Sequence, residues 1–418
     1  MNKTILHNGA FLSVNPWRML TWLLIAQIMV AFVGRSLAPL GVLIGDDMSL
    51  TKAQIGMLPA ALFLGQSLIA IPAGFLVDRV GSKRLLFLLS LCLGLSFILM
   101  AVTSFYWLIL LLVVLGGAGY GAMHPTSNKG ILYWFSERRG TAMGIKQMGV
   151  TLGSALAALL LLPAAVAFGW RPVMIGACAL LIVTGIFAYR FYLDPQAEQE
   201  KSGASEKPAR LVASILQLFK EKPLVLVSLG AMGLSGSQLI LNTYIVLFAY
   251  ESLGIPLVLA GMLLVISEVS GSFGRVSWGM ISDSIFHGKR IIVLVIVAAV
   301  SIGVALGMAL LPPGTPFWVL VPITILFGFC ISGFNGIWMN AATELVPIGQ
   351  AGIASGFSLM LGSWGVIIGP PLFGYIVDAT GAFTYAWLFM AGILTVVIVL
   401  LLAAMRIVKK ENVERADK

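Results

Sequence analysis

Residues 74–84 read Gly74-Phe-Leu-Val-Asp78-Arg79-Val-Gly81-Ser-Lys83-Arg84, and a second version stands in the other half of the chain, Gly279-Met-Ile-Ser-Asp283 with Gly288-Lys289-Arg290 after it. Each follows a long apolar run. Each has an aspartate four residues after a glycine and then a basic turn, which reads as a helix end repeated in two halves. A second echo supports the repeat: Gly140, Gly144 and Gly153 recur at one common offset as Gly352, Gly356 and Gly365. Repeated halves with a site between them are a recurrent transporter plan.

Outward from these signposts the chain is apolar. It is 59% hydrophobic and 10% charged over 418 residues, against roughly one-quarter charged residues in soluble domains. Runs of about 20 apolar residues, each able to cross a hydrocarbon layer ~30 Å thick, recur throughout. A backbone in lipid has to satisfy its own hydrogen bonds, so each run is helical. The expected spans are 18–44, 52–77, 84–103, 106–135, 139–167 and 171–192, then 223–250, 257–282, 290–311, 316–345, 349–377 and 383–407. The first run is full length with no small-residue cleavage site before it, and reads as a retained helix.

The fold class is therefore an all-α integral membrane protein with twelve transmembrane helices in two pseudo-symmetric six-helix bundles. Residues 1–192 form the first bundle, 193–222 a cytoplasmic linker, and 223–418 the second bundle with a cytoplasmic tail. The linker sequence DPQAEQEKSGASEKPAR (194–210) is polar, mixed in charge and too poor in aromatics to fold alone. With the N-terminus inside, nearly all Lys and Arg fall on one face, including Arg79, Lys83, Arg84, Arg138, Arg139 and Arg290, while only Lys52 and Arg171 fall outside. This bias orients a multi-pass inner-membrane protein with both termini cytoplasmic. It also accounts for the net charge of +9 without a nucleic-acid partner. Cys92, Cys178 and Cys330 are isolated in apolar runs and read as packing residues, with neither disulfide nor metal spacing.

The stretch from Gly74 to Arg84 resembles the loop 2–3 motif of the major facilitator superfamily, with Ser82 where a basic residue is common. The resemblance covers nearly the whole chain. It implies alternating access, a monomer and no cofactor. It makes Asp78, Arg79 and Arg84 gating residues of a cytoplasmic charge network, Asp283 and Arg290 their weaker counterparts, and Glu137 and Glu344 its partners.

Ionisable groups inside spans are expensive and usually functional. Here they are Arg35, His124, Lys129 and Lys146 in the first half, and Glu268 and Arg275 in the second. Four of the six are fixed cations, so a cavity they line attracts anions and repels lipophilic cations. His124 lies ~18 Å from the inner surface, whereas Lys129 is ~10 Å in and within snorkelling reach. Gln147 beside Lys146, with Gln66, Gln238, Asn242, Tyr244 and Asn335, and Trp364 as a wall, completes the expected lining. Residues 274–283 resemble the eighth span of the oxalate/formate antiporter and monocarboxylate transporter branches, where the arginine engages the substrate carboxylate. This chain departs from them with Gly271 one turn before Arg275 and its acid, Glu268, two turns before. Arg35, and the run Gly121-Ala-Met-His124-Pro125 through to Arg139-Gly140, are similar instead to the anion:cation symporter branch.

Carrying an anion into a negative interior needs compensating cations, most simply protons. His124 titrates near neutrality, and burial would bring Glu268 closer to it. Both are the candidate proton-coupling groups. A static Glu268–Arg275 ion pair and a hydrogen-bonded core histidine are the alternatives.

The expected function is thus proton-coupled symport of a small organic anion, a carboxylate recognised by Arg35 and Arg275. A proton-driven multidrug or metabolite efflux antiporter is the second reading. It is disfavoured because the fifth span lacks a late Gly-Pro and the first half lacks buried acids. A receptor or scaffold is the third. No nucleophile elbow, P-loop or H-E-x-x-H occurs, which argues against an enzyme.

Overall fold

A computed structural model describes residues 3–7, 10–135, 138–194, 218–347 and 350–416. Twelve helices among them are long and apolar enough to cross a membrane. Their bounds agree with the expected spans to within a few residues, except for the last helix, Phe383–Ala416, which runs on past its apolar stretch. Two short strands, Lys3–His7 and Ala10–Val14, pair antiparallel ahead of the first span. They are the one addition to the all-α expectation. Residues 195–217, most of the expected linker, lie outside the described residues, as does Glu137.

The chain divides into unit 1, Met1–Ser49 with Met57–Gly203, and unit 2, Leu50–Gly56 with Ala204–Lys418. In unit 1 the first span packs on the fifth and sixth, and the third on the fourth and sixth; in unit 2 the seventh packs on the eleventh and twelfth, and the ninth on the twelfth. The sequence echo has a packing cause. A Cβ on Gly153 of the fifth span would overlap the Ile28 carbonyl of the first, and a Cβ on Gly365 of the eleventh would overlap the Met232 carbonyl of the seventh. Small residues at such crossings let helix backbones approach. Gly144 and Gly356, by contrast, meet nothing.

Three spans depart from a plain α-helix. The first breaks into Pro16–Gly34 and Leu37–Met48. Pro39 has no N–H to return to the Arg35 carbonyl, and the Ser36 hydroxyl takes the Val33 carbonyl at 2.6 Å, so the ladder stops there. Arg35 therefore sits at a break and not inside a continuous helix. The fifth span holds a π-turn at Ala157–Leu161, just before Pro163, and the tenth holds one at Gly328–Ser332.

The segment Leu50–Gly56 is anchored within unit 2. The Asp378 carboxylate accepts the amides of Lys52 and Ala53, each at 2.8 Å, at the start of the helix Lys52–Val80, and the Lys52 ammonium pairs with Glu251. A carboxylate is favoured there by the unpaired N–H groups and the helix dipole.

Candidate functional site

Each unit gathers its own set of polar groups deep in its spans. In unit 1 the break in the first span presents Arg35, whose Nε donates to the Tyr120 hydroxyl at 3.2 Å. Its guanidinium lies 5.5 Å from the centre of the Phe63 ring, a cation–π distance. One turn beyond Tyr120 on the fourth span, His124 meets Lys146 of the fifth, with Nδ1 to Nζ 3.4 Å apart, and Asn128 Oδ1 accepts from the same ammonium at 3.2 Å. An ammonium can only donate, so with Lys146 charged His124 accepts at Nδ1 and carries its ring proton on Nε2. Lys146 is 2% exposed. Neither of these partners is a carboxylate. The acids in the first 193 residues are Asp46, Asp47, Asp78 and Glu137; of the described ones, Asp46 and Asp47 lie at the end of the helix Leu37–Met48 and Asp78 near the end of the helix Lys52–Val80. Asp47 is held by Arg171 and Trp170, and Asp78 by Lys129.

In unit 2 the buried acid is Glu268, 1% exposed, which accepts from Asn242 Nδ2 at 3.0 Å. Two turns on, Arg275 reaches the tenth span. A π-turn widens the helix and misaligns its carbonyls, and the eighth span supplies donors: Arg275 Nε to the Ser332 carbonyl at 3.1 Å and Trp278 Nε1 to the Phe329 carbonyl at 3.0 Å. The helices approach closely enough for a Cβ on Gly274 to overlap the Phe329 carbonyl. Asn335 Nδ2 lies 3.3 Å from Gln238 Oε1 and 3.4 Å from the same Ser332 carbonyl. Gln238, Asn242, Glu268, Arg275 and Asn335 thus form one neighbourhood around the π-turn.

Three expected lining residues stand outside these two sets. Gln147, next to the buried Lys146 in sequence, is exposed, and Trp364 is exposed as well. The Tyr244 hydroxyl lies between the carbonyls of Lys52 and Pro370, at 2.7 and 2.8 Å. It ties backbone at the anchored segment.

At the basic ends of the spans, Lys129 pairs with Asp78 at 2.8 Å and donates to the Val77 carbonyl at 3.0 Å. Arg79 and Arg84 are exposed. Arg290 is held between Asp283 and Glu344. Sequence reasoning missed Gln27, 1% exposed with no hydrogen-bond partner for its Oε1. It also missed Tyr120, Asn128 and the carbonyls of the π-turn. Two turns separate Gln27 from Arg35 on one helix, a spacing that could have flagged it. Nothing in the sequence announces a π-turn.

Twelve apolar spans among the described residues, in two units that each bury a charged group, are those of a polytopic membrane protein of the transporter class. The chain belongs to the Major Facilitator Superfamily, whose model matches residues 23–365 and 300–418. It is 24% identical to a hexuronate transporter of Bacillus subtilis over 361 residues, covering 84% of this chain and 85% of the relative. It is 27% identical to a probable sulfoacetate transporter of Cupriavidus necator over 389 residues, covering 88% and 89%. Among solved structures, a bacterial homologue of the lysosomal transporter Spinster superimposes with a TM-score of 0.77 at 17% identity, over 94% of this chain and 98% of that one. That likeness concerns the fold alone.

Proposed function

We propose that this protein carries a small organic anion, most simply a carboxylate, across the cytoplasmic membrane by alternating access, in symport with protons. The observation that carries the reading is the cation set of unit 1: Arg35 and Lys146, joined to His124, Tyr120 and Asn128, in a half whose described acids stand at span ends. The buried Lys146 ammonium calls for a counter-charge, and an anionic substrate supplies it. Arginine binds a carboxylate through two parallel hydrogen bonds. The hexuronate and sulfoacetate transporters it resembles are named for anions, which supports the same reading. Glu268 and His124 are the proton-coupling groups, with Asn242 holding the Glu268 carboxylate. Arg275, Gln238 and Asn335 complete the substrate contacts from unit 2. Asp78, Arg79, Arg84, Asp283 and Arg290 form the gating networks on the cytoplasmic face, where both termini lie, and the transporter acts as a monomer.

The test is thermal unfolding of the purified protein against mono- and dicarboxylates, inorganic anions and lipophilic cations. A ligand that binds the folded state stabilises it by mass action, about 2.7 kcal/mol at a hundredfold excess over Kd. A carboxylate should raise Tm, and Arg35→Gln should remove the shift. Stabilisation by lipophilic cations alone would replace this reading with efflux.

A further inference from the structure

Two amide side chains of unit 1 have oxygens that are buried and, among the described residues, unpartnered. Gln27, on the helix Pro16–Gly34, is 1% exposed, and its Oε1 accepts no hydrogen bond. Gln66, on the helix Lys52–Val80, has a buried Oε1 in the same condition. Both stand beside the cations. A Cβ on Gly149 would come within 3.0 Å of Gln27 Cγ, and Gly149 is one turn from Lys146 along the same helix face. Gln66 is one turn from Phe63, whose ring lies against the Arg35 guanidinium. Its backbone sits where a Cβ on Gly121 would overlap it, and Gly121 adjoins Tyr120 and precedes His124 by three residues.

A buried amide oxygen without a donor costs stability, whereas an apolar group of the same shape in its place does not. Two such oxygens flanking one cation set mark acceptors for a donor that comes from outside the chain. An ionised carboxylate only accepts. It answers Arg35 and Lys146 but leaves both amide oxygens unpaired. A ligand that answers them also carries N–H or O–H groups. An ammonium would be repelled by the two cations, which leaves neutral donors, of which the hydroxyl is the simplest.

We propose that the anion held by unit 1 is a hydroxylated carboxylate, and that Gln27 and Gln66 select it by accepting from its hydroxyls. This rests on the anion reading and narrows it: the cations take the carboxylate, and the amides choose among carboxylates.

The test compares size-matched ligands on the purified full chain, through the concentration dependence of Tm. The sets are propionate, lactate and alanine; succinate, malate and aspartate; and hexanoate with gluconate. In at least one set the hydroxylated member should bind about fivefold or more tightly than the member without hydroxyls, which leaves a buried acceptor unpaired. Gln27→Met and Gln66→Met keep the side-chain length and remove the acceptor. Each should cut that preference about threefold or more and leave the unhydroxylated ligand's affinity unchanged. Without ligand, Gln27→Met should hold or raise Tm, since it removes an unsatisfied group. Equal binding within every set overturns this inference and leaves the anion reading standing. So does preference for alanine or aspartate, or a hydroxyl preference that survives both variants. Stabilisation by no carboxylate at all overturns the anion reading and this inference with it.

Discussion

Unit 1 and unit 2 share a plan but not a charge chemistry. The glycine crossings match, Gly153 against the first span and Gly365 against the seventh. In unit 1 the deep groups are Arg35, Lys146 and His124, while its described carboxylates stay at the ends. Unit 2 buries an acid, Glu268, and commits its arginine to a π-turn carbonyl. Duplication fixes where helices cross, because crossings depend on small residues at set positions. It does not fix which side chains line them. The two halves are free to differ: on the proposed function, unit 1 supplies the deep cations of the anion site and unit 2 supplies its buried acid, Glu268.

The largest effect should come from breaking that division. Lys146→Met removes a buried cation, and truncating one partner of a buried hydrogen-bonded charge pair costs about 2–5 kcal/mol. Affinity for the stabilising carboxylate should fall by roughly 30-fold or more, read from the concentration dependence of Tm. Glu268→Gln keeps an acceptor for Asn242 and should leave that affinity within about threefold. In proteoliposomes it should abolish accumulation driven by a pH gradient while anion exchange continues. If Glu268→Gln costs affinity as heavily as Lys146→Met, the halves are not divided in this way.

A smaller effect tests the π-turn that gives unit 2 its character. Gly274→Ala places a Cβ on backbone atoms of Phe329, which cannot step aside as a flexible side chain would. Overpacking of this kind costs about 1–3 kcal/mol, several degrees in Tm. Gly279→Ala, on the same helix and facing open space, should be nearly silent. Equal effects would mean that the eighth and tenth spans are not packed as described.

The spans were legible because lipid imposes one requirement on every residue of a run, so a local sum of hydropathy finds them. Arg35, His124, Lys146 and Glu268 were legible for the same reason, as charges or near-charges where the solvent forbids them. What stayed hidden depends on contacts between helices. Gln147 and Lys146 are neighbours in sequence, yet one is exposed and the other buried, since adjacent helix positions point about 100° apart. The role of Tyr244 needs the Lys52 and Pro370 carbonyls beside it, and that of Arg275 needs a π-turn on another helix. Asp194 was read only as the first residue of a polar linker. Its partners are the Lys83 amide, at 2.9 Å, and the turn at Gly81, a glycine with positive φ, which no spacing rule reports.

The smallest predicted effect concerns Asp194 and compares carboxylates at the basic ends of the two units. In unit 2 both carboxylates are exposed, at 66% for Asp283 and 51% for Glu344, and exposed ion pairs contribute little. In unit 1 Asp194 is half-buried, and its carboxyl lies above the ordinary value of 3.8, chiefly through burial. The groups facing it are Lys83, Lys129 and Tyr192, with Asp78 beyond Lys129. A carboxyl whose folded value is raised binds its proton more tightly in the folded state. Its contribution to stability is therefore full below the unfolded value, near pH 4, and is lost as pH rises through the folded value. Asp194→Asn, which never ionises, should match the wild type near pH 4 and gain on it by about a degree at pH 7. Were Asp194→Asn to lose ground steadily as pH rises, attraction to Lys129 and Lys83 would outweigh burial. The Asp194 charge would then hold the fold.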